Sequence, residues 1–190
     1  VANSNKVLVY TDGSSMRVGD LPTHSVLSMN QGAGWAYVAV NAANNTIIGE
    51  RWDSLRAPSK PSHVFQTPSS SLTNNRAELM AIYQGILDYS GYGEIIIYSD
   101  SQYSINSVTI WAKQWRKNGW LTSKGKPPLN LDLIQAIIDA IETHQRKRRS
   151  GGTGANQRSI LFNHVYAHRD NSYNNRADFL AKQGAMKTNE

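Results

Sequence analysis

The chain of 190 residues contains no cysteine, which excludes disulfides and thiolate zinc sites and is compatible with a reducing compartment. It has no run of 18 apolar residues, so no segment reads as a membrane span. No signal-peptide pattern begins it. The expected setting is therefore intracellular, with nucleus, mitochondrion and cytoplasm all open. No solenoid period and no long linker divide the sequence, so residues 1–190 are expected to form one domain. Acids are the scarcer charge, 14 Asp and Glu against 20 Lys and Arg, and the net charge of +6 favours polyanionic partners. Histidines number only five, which leaves oxygen ligands as the main resource for holding a metal.

What is present is an ordinary globular composition, 39% hydrophobic and 18% charged. The organising stretch is KVLVYTDGSS, Lys6–Ser15. Val7–Tyr10 is a short apolar run suited to a buried central strand. Asp12 follows within or just past it, and an acid there needs a cation or a rich set of hydrogen bonds. Gly13 leaves room for a ligand or another chain segment to come close. On this stretch alone, an Asx-turn ending the strand at Asp12 is an equally complete explanation.

Ala33–Val40 and Thr46–Trp52 read as a hairpin across the polar turn Asn41–Asn45. Asp20–Gly32 and the Pro- and Ser-rich Leu55–Leu72 read as loops. Asn75–Tyr89 is a helix with Ala81, Ile82, Gly85, Ile86 and Tyr89 on one side, capped by Asn74 or Asn75. A strand at Glu94–Ser99 ends at Asp100, followed by a short helix at Ser101–Val108 and a basic, Trp-bearing one at Thr109–Asn118. Asn130–Arg146 is a long helix, Lys147–Gln157 a Gly- and Arg-rich loop, Ser159–Tyr166 a strand and Asn174–Met186 a last helix. This order predicts an α/β domain with a mixed five-stranded sheet, an antiparallel hairpin plus parallel strands reached through helices.

One short string occurs twice, NNRAE at Asn74–Glu78 and NNRAD at Asn174–Asp178. With Asn75 or Asn175 as cap, each acid falls in the first helical turn, where it suits the positive helix end. Each also heads the apolar side of its helix, which a capping acid need not do. Asp100 ends an apolar strand, the usual position of sites in parallel sheets. If the first and fourth strands are neighbours, Asp12, Glu78, Asp100 and Asp178 meet at one sheet end. Four such acids repel unless divalent cations stand among them, and hard oxygen ligands favour Mg²⁺ or Mn²⁺ over zinc. Such a cage suits two-metal phosphoryl chemistry.

The succession YTDGS, TNNRAEL, YSDSQY and HRDNSYNNRAD resembles ribonuclease H of the monomeric cellular type, from about Lys6 to Ala185. WAKQWRKNGWLTSKGKPPLN is similar to that family's basic protrusion, here about residues 109–130. The resemblance implies a ribonuclease H-like fold and an endonuclease cutting the RNA strand of RNA–DNA hybrids without base preference. It implies that Asp12, Glu78, Asp100 and Asp178 hold two Mg²⁺ ions, with Mn²⁺ a possible substitute. One ion would activate water and the other stabilise the leaving 3′ oxygen, giving 5′-phosphate and 3′-hydroxyl ends. His168 matches the family's loop histidine, which assists proton movement or product release. Asn74 and Asn75 match positions that touch the minor-groove side of the hybrid, including RNA 2′-hydroxyls. Ser14, Ser15 and Gln102 are further candidates on that surface, and Thr73 and Asn130 match a pocket for a DNA-strand phosphate. Trp111 and Trp115, four residues apart on one helix, would pack on deoxyribose, although a Trp pair at that spacing also suits a core. Lys113, Arg116, Lys117, Lys124 and Lys126 would supply salt-sensitive backbone contacts. A monomer is expected.

The sequence departs from the family pattern in the longer stretch after Asp12, in Ala167 ahead of the loop histidine where glycine is frequent, and in an insertion at Arg146–Asn156. The four basic residues Arg146–Arg149 could bind nucleic acid or be a solvated face. Alternatives are the ribonuclease H domain of a retroelement reverse transcriptase and a non-catalytic hybrid-binding module. The four intact acids argue against the latter.

Overall fold

The computed structural model describes residues 5–16, 32–55, 72–146, 158–166 and 171–187. The long loops expected after Asp12 and after the hairpin, the Lys147–Arg149 part of the basic run, Ala167 and His168 therefore lie outside the described residues. Five strands, β1 (Lys6–Met16), β2 (Gly32–Asn41), β3 (Ile47–Ser54), β4 (Glu94–Ser99) and β5 (Ser159–His164), form one sheet in the order β3-β2-β1-β4-β5. β1 is antiparallel to β2 and parallel to β4, and β5 is parallel to β4. This is the mixed sheet expected from the element order. The helices are α1 (Asn74–Asp88), α2 (Gln102–Asn106), α3 (Ala112–Lys117), α4 (Leu131–Arg146) and α5 (Ser172–Met186). The segment expected as two helices between Ser101 and Asn118 is one continuous run, in which a π-helical turn, Ser107–Trp111, joins α2 to α3.

Alternation along β1 assigns the two layers. Val7 and Val9 face a large core with Leu79, Ile82 and Ile86 of α1 and Leu133, Ile134 and Ile137 of α4. Tyr10 faces the other way, into a smaller cluster with Val38, Val40, Ala177, Leu180 and Ala181 under α5. α1 and α5 thus cover opposite faces of the same central strands. Small residues make this close. A Cβ on Gly34 would collide with the α5 backbone at Ala181, Gly184 and Ala185.

β1 runs four residues past Asp12, with Asp12 opposite Ala36 and Met16 opposite Gly32. Asp12 therefore sits inside a strand and does not end it. The antiparallel partner supplies the pairing that carries the backbone on through Gly13. A local hydrogen bond from Gly13 N to Asp12 Oδ1 (2.7 Å) is present all the same.

Both asparagine caps expected for the long helices are displaced. Thr73 caps α1, its hydroxyl accepting from Arg76 N at 3.3 Å, and Asn171 caps α5, its Oδ1 accepting from Asn174 N at 3.1 Å. Glu78 and Asp178 consequently lie in the second turn, beyond the capping position. Their presence has to be explained by what they face.

Candidate active site

Parallel pairing of β1 and β4 puts Thr11 opposite Ser99, so the next residues, Asp12 and Asp100, emerge side by side at the same sheet end. Glu78 joins them from α1 through the gap at Gly13. A Cβ there would collide with Glu78 N and lie 2.6 Å from the Ala77 carbonyl carbon. The space left by Gly13 is thus filled by the helix and not held open for a substrate. It is what lets α1 reach the strand and bring its acid to Asp12.

One oxygen from each of Asp12, Glu78 and Asp100 can be chosen so that all three lie within 4.8 Å of one another. Asp12 and Glu78 are buried and Asp100 is half-buried. Burial, then the charges of Asp100 and Asp178, pushes Asp12 up to about 7. Burial, then Asp12 and Asp100, pushes Glu78 well above the usual carboxylate range. Glu78 Oε2 is buried and has no hydrogen-bond partner among the described residues. Three clustered acids, protons retained near neutrality and an orphaned carboxylate oxygen fit a divalent cation with hard-oxygen preference.

Asp178 approaches from the opposite face on α5. It lies outside the triad, with its Oδ2 2.7 Å from Lys182 Nζ. Even so it lines the same cleft, about 300 Å³, walled by Asp12, Gly13, Ser14, Ser15, Asn74, Glu78, Asp100, Asn174, Asn175, Asp178 and Lys182. The four acids expected to converge do share one cleft, three tightly and one at its side. Ser14, Ser15 and Asn74 are there too, and Asn74 Oδ1 accepts from Ser15 N at 2.6 Å, tying α1 to the strand.

Other expected residues stand elsewhere. Asn75 and Gln102 are exposed and are not among the residues lining the cleft, and Gln102 Nε2 donates to Asn106 Oδ1 at 2.8 Å. Thr73 and Asn130 meet through Arg76, which donates its backbone N–H to the Thr73 hydroxyl and its Nη1 to Asn130 Oδ1 at 3.4 Å. Asn130 holds the left-handed conformation, φ 59°, which asparagine tolerates better than most residues. The rings of Trp111 and Trp115 are 5.9 Å apart, Trp111 exposed and Trp115 packed partly against the main core. Lys113 and Lys117 are exposed beside them, while Arg116 is engaged with Glu142. Asn174, Asn175 and Lys182 line the cleft without having been expected there. The signal for Asn174 and Lys182 was the spacing of four residues on either side of Asp178, which shares a helix face.

Comparison with known proteins gives the family and agrees with the fold. The family model described as RNase H matches residues 4–149. A ribonuclease H of Prosthecochloris aestuarii is 32% identical over 187 residues, covering 97% of each chain. One of Schizosaccharomyces pombe is 33% identical over 187 residues, covering 98% of this chain and 56% of that protein. Among solved structures, LC9-RNase H1, a type 1 RNase H with the type 2 active-site motif, superposes with a TM-score of 0.65 at 21% identity, covering 95% of this chain and 72% of that one. The foamy viral protease-reverse transcriptase in complex with RNA/DNA hybrid gives 0.66 at 23% identity, covering 94% of this chain and 20% of that one. At such identities these two speak for the fold. The family model and the Prosthecochloris relative, matched over 97% of both chains, speak for descent, and on them the chain belongs to the ribonuclease H family of hydrolases.

Proposed function

We propose that the protein is an endoribonuclease that hydrolyses the RNA strand of RNA–DNA hybrids without base preference, leaving 5′-phosphate and 3′-hydroxyl ends. The observation that carries the reading is the Asp12–Glu78–Asp100 cluster, with its orphaned Glu78 oxygen, in a cleft lined by asparagines and serines. The family, and a structural neighbour solved with an RNA/DNA hybrid, support the choice of substrate. Two Mg²⁺ ions, or Mn²⁺ in their place, would supply an acidified water and neutralise charge building on the phosphate and the leaving oxygen.

The chain's own residues do the rest. Asp12 and Asp100, fixed by adjacent parallel strands, and Glu78, fixed by α1, would hold the cations, and Asp178 would complete the set. Because Asp12 and Glu78 are raised, binding of cations there would displace protons, and metal affinity is expected to rise with pH. Ser14, Ser15 and Asn74 meet the RNA strand, where the 2′-hydroxyl distinguishes it from DNA. Asn75, Gln102, Thr73 and Asn130 extend that surface, and Trp111, Trp115, Lys113 and Lys117 receive the DNA strand. His168 assists proton movement or product release.

The test offers labelled RNA–DNA hybrid, double-stranded RNA, double-stranded DNA and single strands, with Mg²⁺ or with chelator. Cleavage confined to the RNA strand of the hybrid and abolished by chelator is expected. Cutting of DNA, or cutting that survives chelator, would sink the reading.

A further inference from the structure

Within the triad, Asp12 is carried by a strand and Glu78 by a helix, whereas Asp100 belongs to neither kind of element. It sits in the turn between β4, which ends at Ser99, and α2, which begins at Gln102. Local bonds brace that turn. Ser101 N donates to Ser99 Oγ at 3.1 Å, and the Ser101 hydroxyl accepts from Ser104 N at 3.2 Å. Strand β5 braces it from outside. Val165 N donates to Ser99 O at 3.0 Å, one rung beyond the paired strands.

The next carbonyl along, that of Asp100, lies 3.2 Å from His164 Nε2. A carbonyl oxygen can only accept, so this nitrogen carries a ring proton. The His164 ring also meets Tyr166 edge to face, with centroids 5.2 Å apart. His164 is exposed, and water replaces an exposed bond when it breaks, so the bond adds little to folding. What it does fix is the direction of the backbone at Asp100. That direction sets where the carboxylate stands against Asp12 and Glu78, each of which places an oxygen within 4.8 Å of one of its own.

We propose that His164 is a positioning residue for catalysis, holding Asp100 in place for the cations through the Asp100 carbonyl. Groups one step behind a metal ligand commonly change metal affinity or activity by tenfold or more. The kinetic side of the inference rests on the hybrid-cleavage reading above, and the metal-binding side does not. The rival explanation is a ring that merely closes the end of β5. The two differ in what moves when the bond is lost, the site or the fold.

The experiment compares wild type, His164→Phe and His164→Gln. Phenylalanine keeps a ring beside Tyr166 and removes the donor, while glutamine places an N–H the same number of bonds from the backbone. Mg²⁺ affinity is measured by calorimetry on the free protein, hybrid cleavage by steady-state kinetics and Tm by thermal melts in chelator. His164→Phe is expected to bind Mg²⁺ about tenfold more weakly and to lose about tenfold in kcat. Its KM for the hybrid and its Tm are expected to stay near wild type, and His164→Gln to recover most of both losses. Unchanged Mg²⁺ affinity or unchanged kcat in His164→Phe overturns the proposal, as does a Tm that falls in step with them. A rise in KM alone overturns it too, since His164 would then be a substrate contact, and so does a glutamine variant no better than phenylalanine. If His164→Phe fails to fold, His164→Ala is read in its place. A wild type that binds Mg²⁺ without cutting the hybrid would strike the functional reading, while the affinity comparison still decides whether His164 positions Asp100.

Discussion

The string NNRA followed by an acid opens two helices that cover opposite faces of one sheet, and the two copies have different fates. In α1, Arg76 is buried and forks onto Asp132 with bonds of 2.9 and 2.6 Å. In α5, Arg176 makes an equivalent fork onto Glu50, two bonds of 3.0 Å, but is 46% exposed. Glu78 is buried beside Asp12, whereas Asp178 is half-exposed and held by Lys182. Asn74 is exposed and Asn174 buried. The same five residues therefore do not set their own burial. What decides it is their offset from the helix start, one residue after the cap in α1 and three in α5, together with what lies across from them. α1 descends onto the strand at Gly13 while α4 covers its far side. α5 crosses β1, β2 and β3, with Arg176, Phe179 and Lys182 exposed on its outer side.

The largest contrast is expected in catalysis. Glu78→Gln or Asp100→Asn removes a member of the tight triad and should lower kcat for hybrid cleavage by about a thousandfold or more. Asp178→Asn alters an acid at the side of the cleft and should cost about ten- to a hundredfold under the same conditions. Steady-state kinetics in Mg²⁺ checks both. Equal losses for Glu78 and Asp178 would mean that the two copies contribute alike and that burial is not the distinction.

Stability is expected to separate the two arginine forks next. Asp132→Ala removes the charged partner of a buried guanidinium and should cost about 3 kcal/mol, whereas Glu50→Ala leaves Arg176 in water and should cost under about 1 kcal/mol. Urea unfolding monitored by circular dichroism gives both numbers. Arg76 also reaches Asn130, so Asp132→Ala should in addition raise KM by loosening the Thr73–Asn130 corner.

How far these differences could be read from the sequence follows from the kind of order each depends on. Apolar runs and periodicity revealed all five strands, because alternation and helical repeat are local properties of the chain, whereas the meeting of Asp12, Glu78, Asp100 and Asp178 depended on the first and fourth strands being neighbours, which no local pattern fixes. The cap of α1 was misplaced by one or two residues because Thr73 and the two asparagines are all good caps, and only the packing of α1 against Gly13 chooses among them. The role of Gly13 was misassigned for a similar reason. A missing side chain signals close approach without saying by what. Lys182 escaped notice because a lysine on a helix surface is ordinary until the acid beside it is known to face a cleft.

A third contrast concerns pH and metal. Asp12 is raised to about 7 and Glu78 is raised as well, while in an unfolded chain both titrate near 4. Between about pH 4 and 7 the folded protein keeps protons that the unfolded chain has lost, so stability falls as pH rises through that window. Without metal, Glu78→Gln should therefore melt about 5 °C above wild type at pH 8 and no higher near pH 4. Asp178→Asn should shift Tm little at either pH, since it removes only an exposed pair. Mg²⁺ should raise the wild-type Tm at pH 8 and have less effect on Glu78→Gln. Thermal melts with and without chelator read all of this. A Glu78→Gln protein less stable than wild type at pH 8 would show that the acid cluster is satisfied without metal.

The smallest effect, and the finest division, lies between the two tryptophans beyond the cleft. Trp111 is 37% exposed, and its ring touches those of Tyr103 and Trp115 at 5.9 Å, whereas Trp115 also packs against the main core. Trp111→Ala should leave kcat near wild type and raise KM for the hybrid several-fold, about 1 kcal/mol of lost contact. That rise should persist as salt increases, because a ring packed on sugar carries no charge to screen. Lys113→Ala and Lys117→Ala should raise KM too, but with a shallower dependence of binding on salt, since each gives up a phosphate contact. Trp115→Ala should raise KM and lower Tm together, as its ring serves both the core and the surface. Should Trp111→Ala lower Tm while leaving KM unchanged, the pair belongs to the core, and binding of the DNA strand would have to rest on the lysines alone.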